Sequence, residues 1–220
     1  MKQGPLSNPA RERLLDVAIT HFARHGLEGA TTRAIAAAAT TPMSSITYHY
    51  GGKEGLYLAA AQHIGQRISA LLSPVLAAAE QSCVSGGAAE ARMAVLTTLD
   101  RFSESLATDG ANGWAPFINR EQMHPTAAFV ILYEGWMGRL AGSLGACLHR
   151  LAGGRISQDE ARLRAISMIG QALVFRTARA MVCRTMQWET LGEAENASIR
   201  QAVRRNAEAI LTALEERDRT

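Results

Sequence analysis

Aromatic residues, cysteine and long hydrophobic runs are all scarce in this chain, and each shortage excludes a class of protein. Aromatic residues make up 5% of the 220 residues, whereas 39 residues are alanine. This composition favours close-packed helices over sandwiches and barrels, which need β-branched and aromatic side chains. Cys83, Cys147 and Cys183 lie far apart and show no CxxC or Cys/His spacing. We therefore expect neither a disulfide scaffold nor a structural zinc site, and an odd number of cysteines suits a reducing compartment.

Segments with the pattern of a membrane span or a secretory signal are also missing from the sequence. The longest apolar run, near Ala127–Tyr133, is much shorter than the ~20 residues that a membrane span needs, and no apolar signal region follows Lys2. Apolar residues nevertheless make up 47% of the chain, which is enough to fill a core and to exclude wholesale disorder. We expect a cytoplasmic, mostly helical protein with no membrane partner.

Three short helices are predicted in the first quarter of the chain, which also carries all of the formal charge excess of +3. The first begins at Asn8-Pro9, an N-cap followed by proline, and stops at Gly26. The second begins at Thr31-Thr32, and the third is capped by Thr41-Pro42 and ended by Gly51-Gly52. Three short helices within about 45 residues have the size of a helix-turn-helix unit, in which one helix supports another in the major groove of DNA.

Longer helices follow, so the predicted fold class is all-α, with an N-terminal helix-turn-helix domain over residues 8–68 and a larger helical domain over residues 69–220. The spacing of apolar residues predicts helices over about 53–79, 88–106, 125–153, 157–188 and 195–216. Residues 108–123 contain two glycines and a proline and are predicted to form a loop with one short helix. Ser157 and Glu160 have the spacing of a capping box.

The third short helix carries the side chains expected of a helix that reads DNA. With Met43, Ile46 and Tyr50 packed inward, five polar residues are predicted to face solvent: Ser44, Ser45, Thr47, Tyr48 and His49. Short hydroxyls allow close approach to base edges, whereas Tyr48, His49 and Lys53 can reach phosphates. A second phosphate site is predicted at the start of the second helix, at Thr31, Thr32 and Arg33. The alternative interpretation is an ordinary polar helix face, which any bundle of this kind would show.

This region resembles the DNA-binding domain of the TetR family of bacterial regulators. The resemblance is carried by Thr32–Tyr57, which reads TRAIAAAATTPMSSITYHYGGKEGLY, and it extends back to about Arg11. Two positions differ from the usual family pattern, because Thr40 replaces a glycine in the turn and Thr47 replaces a tyrosine. The resemblance implies contacts with the DNA backbone at the positions of Tyr48, His49 and Lys53.

The rest of the chain resembles the C-terminal domain of the CerR/YbiH-type branch of TetR regulators. The resemblance is carried by INREQMHPTAAFVILYEGWM, and by MIGQALVFRTARA followed by SIRQAVRRNAEAIL. It implies a domain that binds a small molecule and forms a homodimer through its last two long helices.

A ligand pocket is predicted where large side chains concentrate after residue 113. The candidates are aromatic residues, a few polar ones and one glycine: Trp114, Phe117, Arg120, Glu121, His124, Phe129, Tyr133, Trp136 and Gly138. Apolar walls with a few polar groups suit an oriented ligand, and core packing is the alternative explanation. Four glycines spaced 3, 4 and 3 are predicted to form one helix stripe, which either seats a neighbouring helix or leaves space for the ligand: Gly135, Gly138, Gly142 and Gly145.

Catalytic, metal and cofactor sites are not predicted. His21 and His25 have the i, i+4 spacing of a zinc pair, but no third ligand is near in sequence and a solvated helix face is the better interpretation. No acyl-transfer signature and no Gly-rich phosphate loop are found.

Apolar residues on the last two long helices are predicted to divide between the monomer core and a four-helix dimer interface. They are Leu163, Ile166, Gly170, Leu173, Ala178, Met181, Ile199, Val203, Ile210 and Leu214. The predicted function is a ligand-released repressor that binds a palindromic DNA operator as a homodimer and responds to a small-molecule effector. The alternative is a helical small-molecule-binding or enzymatic bundle whose N-terminal unit contacts protein instead of DNA.

Overall fold

The computed structural model describes residues 8–108 and 114–216, and the predicted all-α fold is confirmed because these ranges contain helices and no strand. The helices are α1 (Asn8–Gly29), α2 (Thr32–Ala38), α3 (Met43–Tyr50), α4 (Lys53–Ser85), α5 (Ala88–Thr108), α6 (Trp114–Met123), α7 (Ala127–Leu132), α8 (Gly138–Leu151), α9 (Gln158–Thr177), α10 (Arg179–Met186) and α11 (Glu193–Glu216). One turn of π-helix, Tyr133–Met137, connects α7 to α8.

The ends of the first three helices follow from local backbone chemistry. Thr31 caps α2, since its hydroxyl oxygen accepts a hydrogen bond from the Ala34 amide at 3.2 Å. Gly51 ends α3 in the left-handed region, with φ of 74°. Gly26 also has a positive φ, of 69°, and its ψ of 179° is not helical, so the regular part of α1 ends at the predicted position and a separate short helical stretch follows to Gly29.

The chain divides into two compact units, and this division differs from the predicted one. Within the described residues, the N-terminal unit comprises 8–67 and 114–135, and the C-terminal unit comprises 68–108 and 136–216. The first boundary lies one residue from the predicted boundary. The segment 114–135 belongs to the N-terminal unit because α6 packs against α1 and presents Phe117 to Tyr57 of α4.

The N-terminal unit is built on a core of fully buried apolar side chains from α1 to α4 and α6. Phe22, Ile35 and Ile46 are completely inaccessible to solvent. The Tyr57 ring stands edge-on to Phe22 and lies beside Phe117, with ring centroids 4.8 Å apart in both pairs. Full burial of each such side chain contributes roughly 1.5–3 kcal/mol, so this cluster fixes the short helices that could not hold their shape alone.

A buried carboxylate links α4 to the segment between α6 and α7. The Tyr57 hydroxyl donates to Glu121 Oε1 at 2.5 Å, and the Thr126 amide and hydroxyl donate to Glu121 Oε2 at 3.0 and 2.9 Å. Burial and the neighbouring Glu121 carboxylate raise the pKa of Tyr57, so the phenol stays protonated and remains a donor. Since Glu121 is 1% exposed, its three hydrogen bonds are what makes its burial tolerable.

The predicted single helix over 125–153 is divided by the π turn at Tyr133–Met137. A π turn adds a residue to one helical turn, so Gly135 is rotated away from the predicted stripe, whereas Gly138, Gly142 and Gly145 keep their spacing of 4 and 3 within α8. A Cβ at Gly135 would lie 3.9 Å from Gly65 Cα, one at Gly145 would lie 3.4 Å from Arg162 Cγ, and one at Gly142 would meet nothing within 4 Å.

Within the C-terminal unit, α8 packs against α5 and α9, and the Arg139–Glu80 ion pair joins it to α4. Arg139 of α8 binds Glu80 of α4 through two bonds, Nε to Oε1 at 2.7 Å and Nη2 to Oε2 at 2.8 Å. Ser143 donates to the same carboxylate at 3.2 Å. The hydrogen bond from Arg139 lowers the pKa of Glu80, which keeps this carboxylate charged.

By length and composition alone, α4 is the helix of the described residues that could cross a membrane. It nevertheless carries His63, Arg67 and Glu80, and its Leu72 and Leu76 side chains are buried in the protein core. Part of α4 is therefore packed inside the protein, and the rest of the helix is exposed or half-buried.

Candidate functional site

One side of α3 presents polar side chains to solvent. Tyr48 is 70% exposed, Ser44 and Thr47 are exposed as well, and His49 is half-buried against Tyr48 with ring centroids 4.8 Å apart. The opposite side contributes the fully buried Ile46. An eight-residue helix with short hydroxyls and one tyrosine on its open side has the chemistry needed to approach base edges and phosphates.

The predicted orientation of α3 is wrong at two positions. Ser45 was expected to face solvent but is only 4% exposed, and Met43 was expected to pack inward but is 54% exposed. With 3.6 residues per turn, Ser45, Ile46 and His49 share one side of the helix, whereas Met43 lies in the first turn, at its open end. Ser45 is therefore withdrawn from the set of residues that could read bases.

Lys53 and the start of α2 supply the candidate phosphate contacts. Lys53 is the first residue of α4, and its Nζ donates to the backbone carbonyl of Glu28 at 3.2 Å. An ammonium group has three donors, so two remain for a phosphate. At α2, Thr31 and Arg33 are exposed and Thr32 is half-buried, although the Thr31 hydroxyl already serves as the N-cap.

The turn between α2 and α3 contains a strained residue, Thr40, which is one of the two positions that differ from the family pattern. Thr40 has φ of 52°, which glycine adopts easily and a β-branched residue does not. The turn closes with two backbone bonds, from the Thr40 amide to the Ala37 carbonyl at 3.1 Å and from the Thr41 amide to the Ala36 carbonyl at 2.9 Å. This is the hydrogen-bond pattern of a Schellman motif, whose left-handed position is normally glycine.

The residues predicted to form the ligand pocket do not all share one environment. Trp114, Phe117 and Glu121 are buried in the N-terminal unit, and the Glu121 carboxylate is occupied by Tyr57 and Thr126. Arg120, His124 and Tyr133 are exposed, and Phe129 is half-buried with its ring stacked 6.1 Å from that of Tyr133. Trp136 and Gly138 belong to the C-terminal unit. The pocket proposed from the sequence stays a prediction.

A cavity of about 700 Å³ lies elsewhere, in the C-terminal unit, where α4 ends and α5, α8 and α9 meet. Its ionisable lining residues are Cys83, His149, Arg150 and Arg162, and its lining also includes Gly142 and Gly145 of the predicted stripe. The His149 ring is fixed by a 3.0 Å hydrogen bond between Nδ1 and the Ile156 carbonyl. Sequence reasoning missed this cavity because its walls come from four separate helices, and the glycines were the only local signal.

An exposed apolar stripe runs along α9 and α10. Leu163 is 68% exposed, Ile166 57%, Val174 41% and Met181 61%. In contrast, Ile199, Val203 and Leu214 of α11 are buried within the protomer. The predicted apolar residues therefore divide mainly by helix: those of α11 pack in the protomer core, and several of those on α9 and α10 are exposed.

Comparisons with known proteins place the chain in a family. The family model for "Bacterial regulatory proteins, tetR family" matches residues 14–60, and the model for the C-terminal domain of the HTH-type transcriptional dual regulator CecR matches residues 91–214. CecR of Shigella flexneri is 30% identical over 210 residues, which is 94% of each chain. The branch described above as CerR/YbiH-type is thus the CecR branch.

Solved structures show the same fold. A TetR-like transcriptional regulator from Rhodococcus sp. RHA1 has a TM-score of 0.63 at 20% identity, with 95% of this chain and 99% of that one covered. AibR, solved in complex with isovaleryl coenzyme A and operator DNA, has a TM-score of 0.64 at 12% identity, with 89% of this chain and 96% of that one covered. The two family models and the CecR relative, rather than the shared fold, show that the chain belongs to the TetR family of bacterial transcriptional regulators, with a CecR-type C-terminal domain, and is a DNA-binding regulator, so the enzymatic alternative is wrong.

Proposed function

We propose that this regulator is a repressor that binds a palindromic operator as a homodimer and is released by a small-molecule effector. The observation that carries the proposal is the exposed polar side of α3, which lies directly before Lys53 in the chain. Ser44 and Thr47 would contact base edges, and Tyr48, His49 and Lys53 would contact phosphates, together with Thr31, Thr32 and Arg33. Such a protein acts where the chromosome is, in the bacterial cytoplasm.

Dimerisation follows from the short reach of a single recognition helix. One helix-turn-helix contacts only a few base pairs, so specific affinity requires a second copy about one helical turn or more away on the DNA. The exposed stripe of α9 and α10 offers the apolar centre that such an interface needs. Because most apolar residues of α11 are buried in the protomer core, α11 would contribute mainly polar side chains to the dimer interface.

The cavity of the C-terminal unit is the candidate effector site. Its volume lies in the range of small-molecule pockets, and Arg150 and Arg162 line it. One donor of Arg150 binds the Cys83 carbonyl at 3.0 Å and one of Arg162 binds Asp159 at 2.9 Å, so the remaining guanidinium donors would favour an anionic effector. That AibR was solved with both an acyl-coenzyme A and operator DNA supports the idea that a regulator of this fold can hold an effector of that charge. Release from DNA requires only that the effector bind the state with low DNA affinity more tightly.

A DNA-capture experiment tests operator binding. The full chain is incubated with fragmented chromosomal DNA from its own source, bound fragments are sequenced, and the enriched fragments are used in gel shifts at rising salt. We expect fragments that share an inverted repeat, with affinity that falls steeply as salt increases. Recovery of random fragments, or no shift at low salt, would contradict the proposal.

A second experiment tests the dimer interface. The Leu163→Glu and Ile166→Glu double variant places two charges in the stripe, so sedimentation should show a monomer at micromolar concentration where the parent chain is a dimer. Met93→Glu is the matched control, because Met93 is an apolar residue of α5 with 59% exposure that lies outside the stripe. A parent chain that sediments as a monomer would refute the homodimer.

A further inference from the structure

Two cysteines that no sequence spacing connects lie side by side in the C-terminal unit. Cys83 is near the end of α4 and Cys147 is in α8, and their Sγ atoms are 2.8 Å apart. Both are free thiols. A disulfide has an S–S distance of about 2.05 Å, so the two sulfurs would have to approach by less than about 1 Å to bond. We propose that Cys83 and Cys147 form a redox-active dithiol, which a hydroperoxide converts into an intramolecular disulfide.

The two thiols differ in access, and this difference assigns their roles. Cys83 is half-buried and lines the cavity together with Gly87 and Arg150, so a small polar oxidant can reach its sulfur from solvent. Cys147 is completely buried, and its Sγ lies 3.6 Å from the carbonyl oxygen of Ala79. Burial raises the pKa of the Cys147 thiol, which keeps it protonated and poorly reactive toward an external oxidant. Cys83 is therefore the thiol that meets the peroxide.

The reaction balances with hydrogen peroxide as the oxidant. The thiolate form of Cys83 attacks one peroxide oxygen, the S–O bond forms, the O–O bond breaks, and the released hydroxide takes a proton to become water. Cys147 Sγ then attacks Cys83 Sγ, the S–S bond forms, the S–O bond breaks, and the departing hydroxide takes the Cys147 proton. The two thiols lose two electrons and the peroxide gains them, so the products are one disulfide and two waters.

The bond would fasten the end of α4 to α8, the same two helices that the Arg139–Glu80 ion pair joins. A pair of this kind is compatible with a reducing compartment, because the disulfide forms on oxidation and thiols reverse it, unlike a structural disulfide that the fold requires. Cys183 lies in a different helix, α10, and is replaced in the test below so that the two remaining cysteines are the proposed pair.

The test uses the full chain carrying Cys183→Ser, which retains the two proposed partners. The reduced protein is treated with equimolar hydrogen peroxide, remaining thiols are blocked with N-ethylmaleimide, and intact mass and tryptic peptides are measured without reductant. We expect the loss of two hydrogen atoms, no alkylation, a cross-linked peptide containing Cys83 and Cys147, and full reversal by dithiothreitol.

Matched variants keep the result interpretable. Cys147→Ala should stop at the sulfenic acid of Cys83, trapped as a dimedone adduct, and Cys83→Ser should leave Cys147 alkylated only after unfolding. Circular dichroism of each variant checks that the helices are retained, and if Cys147→Ala fails to fold, the peptide map of the Cys183→Ser protein and the Cys83→Ser variant still decide. Oxygen addition without a disulfide, a disulfide between two chains, or a protein that keeps both thiols would overturn the proposal. None of these readouts involves DNA, so the outcome is separate from that of the proposed operator binding.

Discussion

Gly55, in the first turn of α4, is the position at which the junction between α3 and α4 tolerates a side chain least. A Cβ at this position would lie 1.7 Å from the carbonyl oxygen of Tyr50 and 2.9 Å from its carbonyl carbon, whereas ordinary contacts begin at 3.4 Å. The Tyr50 carbonyl belongs to backbone and cannot rotate away, so Gly55→Ala must push α3 and α4 apart until the shortest distance doubles. We expect a loss of about 3 kcal/mol in the free energy of unfolding, at the upper end of the range for overpacking.

The matched control for this substitution is Gly65→Ala in the same helix. A Cβ at Gly65 would meet nothing within 4 Å, so the exchange should gain about 0.5–1 kcal/mol from the lower backbone entropy of alanine in the unfolded chain. Thermal unfolding followed by circular dichroism should separate the two variants, with Gly55→Ala lowered by about 6–12 °C. Equal stability of the two variants would show that the tight approach between α3 and α4 does not exist.

Three further substitutions test the turn, the phosphate contact and the ion pair. Thr40→Gly should raise the free energy of unfolding by about 1 kcal/mol, because the left-handed conformation costs a residue with a Cβ roughly 1–2 kcal/mol, and urea unfolding without a gain would contradict this. Lys53→Ala should weaken operator and unrelated DNA equally and reduce the salt slope by about one, whereas an unchanged slope would mean that Lys53 stays on the Glu28 carbonyl. Arg139→Ala should cost about 0.5–1 kcal/mol at neutral pH, a value limited by the solvent exposure of the pair. Arg139 lowers the pKa of Glu80 in the folded protein, so the ion pair stabilises the fold fully at pH values above the pKa that Glu80 has in the unfolded chain. This stabilisation is lost as the pH falls through the lowered pKa of the folded state. The difference in unfolding free energy between Arg139→Ala and the parent chain, measured by urea unfolding, must therefore shrink on acidification.

Helix ends were predictable from the sequence because capping is local chemistry. Thr31, Gly51 and Ser157 occupy the cap positions that their residue types indicated. Ser157 Oγ accepts from the Glu160 amide at 3.1 Å, but the Glu160 carboxylate pairs with Arg164 at 2.6 Å instead of turning back. Only one of the two hydrogen bonds of the capping box is thus formed. Arg164, one helical turn after Glu160, competes with the Ser157 amide for the Glu160 carboxylate.

Features that depend on distant residues were not predictable. The inward side of α3 is set by what packs against it, and a one-residue rotation was enough to bury Ser45 and expose Met43. The π turn has no local signal comparable to proline, so the sequence could not show that an irregular turn separates Gly135 from the other three glycines of the predicted stripe. Some contacts join residues 64 positions apart, such as Cys83 with Cys147 and Tyr57 with Glu121. No local pattern of residue spacing in the sequence predicts contacts of this kind.

The helix α4 contributes residues to both units, so it is where the proposed effector binding would be linked to the proposed operator binding. Its first residues supply Lys53 and Tyr57 to the N-terminal unit, and its last turns supply Glu80 and Cys83 to the C-terminal unit. The helix contains Pro74, which removes one backbone hydrogen bond between these two ends, so a shift of one end would reach the other through the remaining backbone hydrogen bonds on either side of that residue. An effector or a disulfide at the end of α4 that lies next to α8 could favour one position of this helix. If DNA bound at Lys53 also depends on the position of α4, the effect of the first site on DNA affinity and the effect of DNA on the first site are equal in free energy. If the cavity is the effector site, as proposed, operator DNA should change its affinity for the effector by the same factor as the effector changes the affinity for DNA.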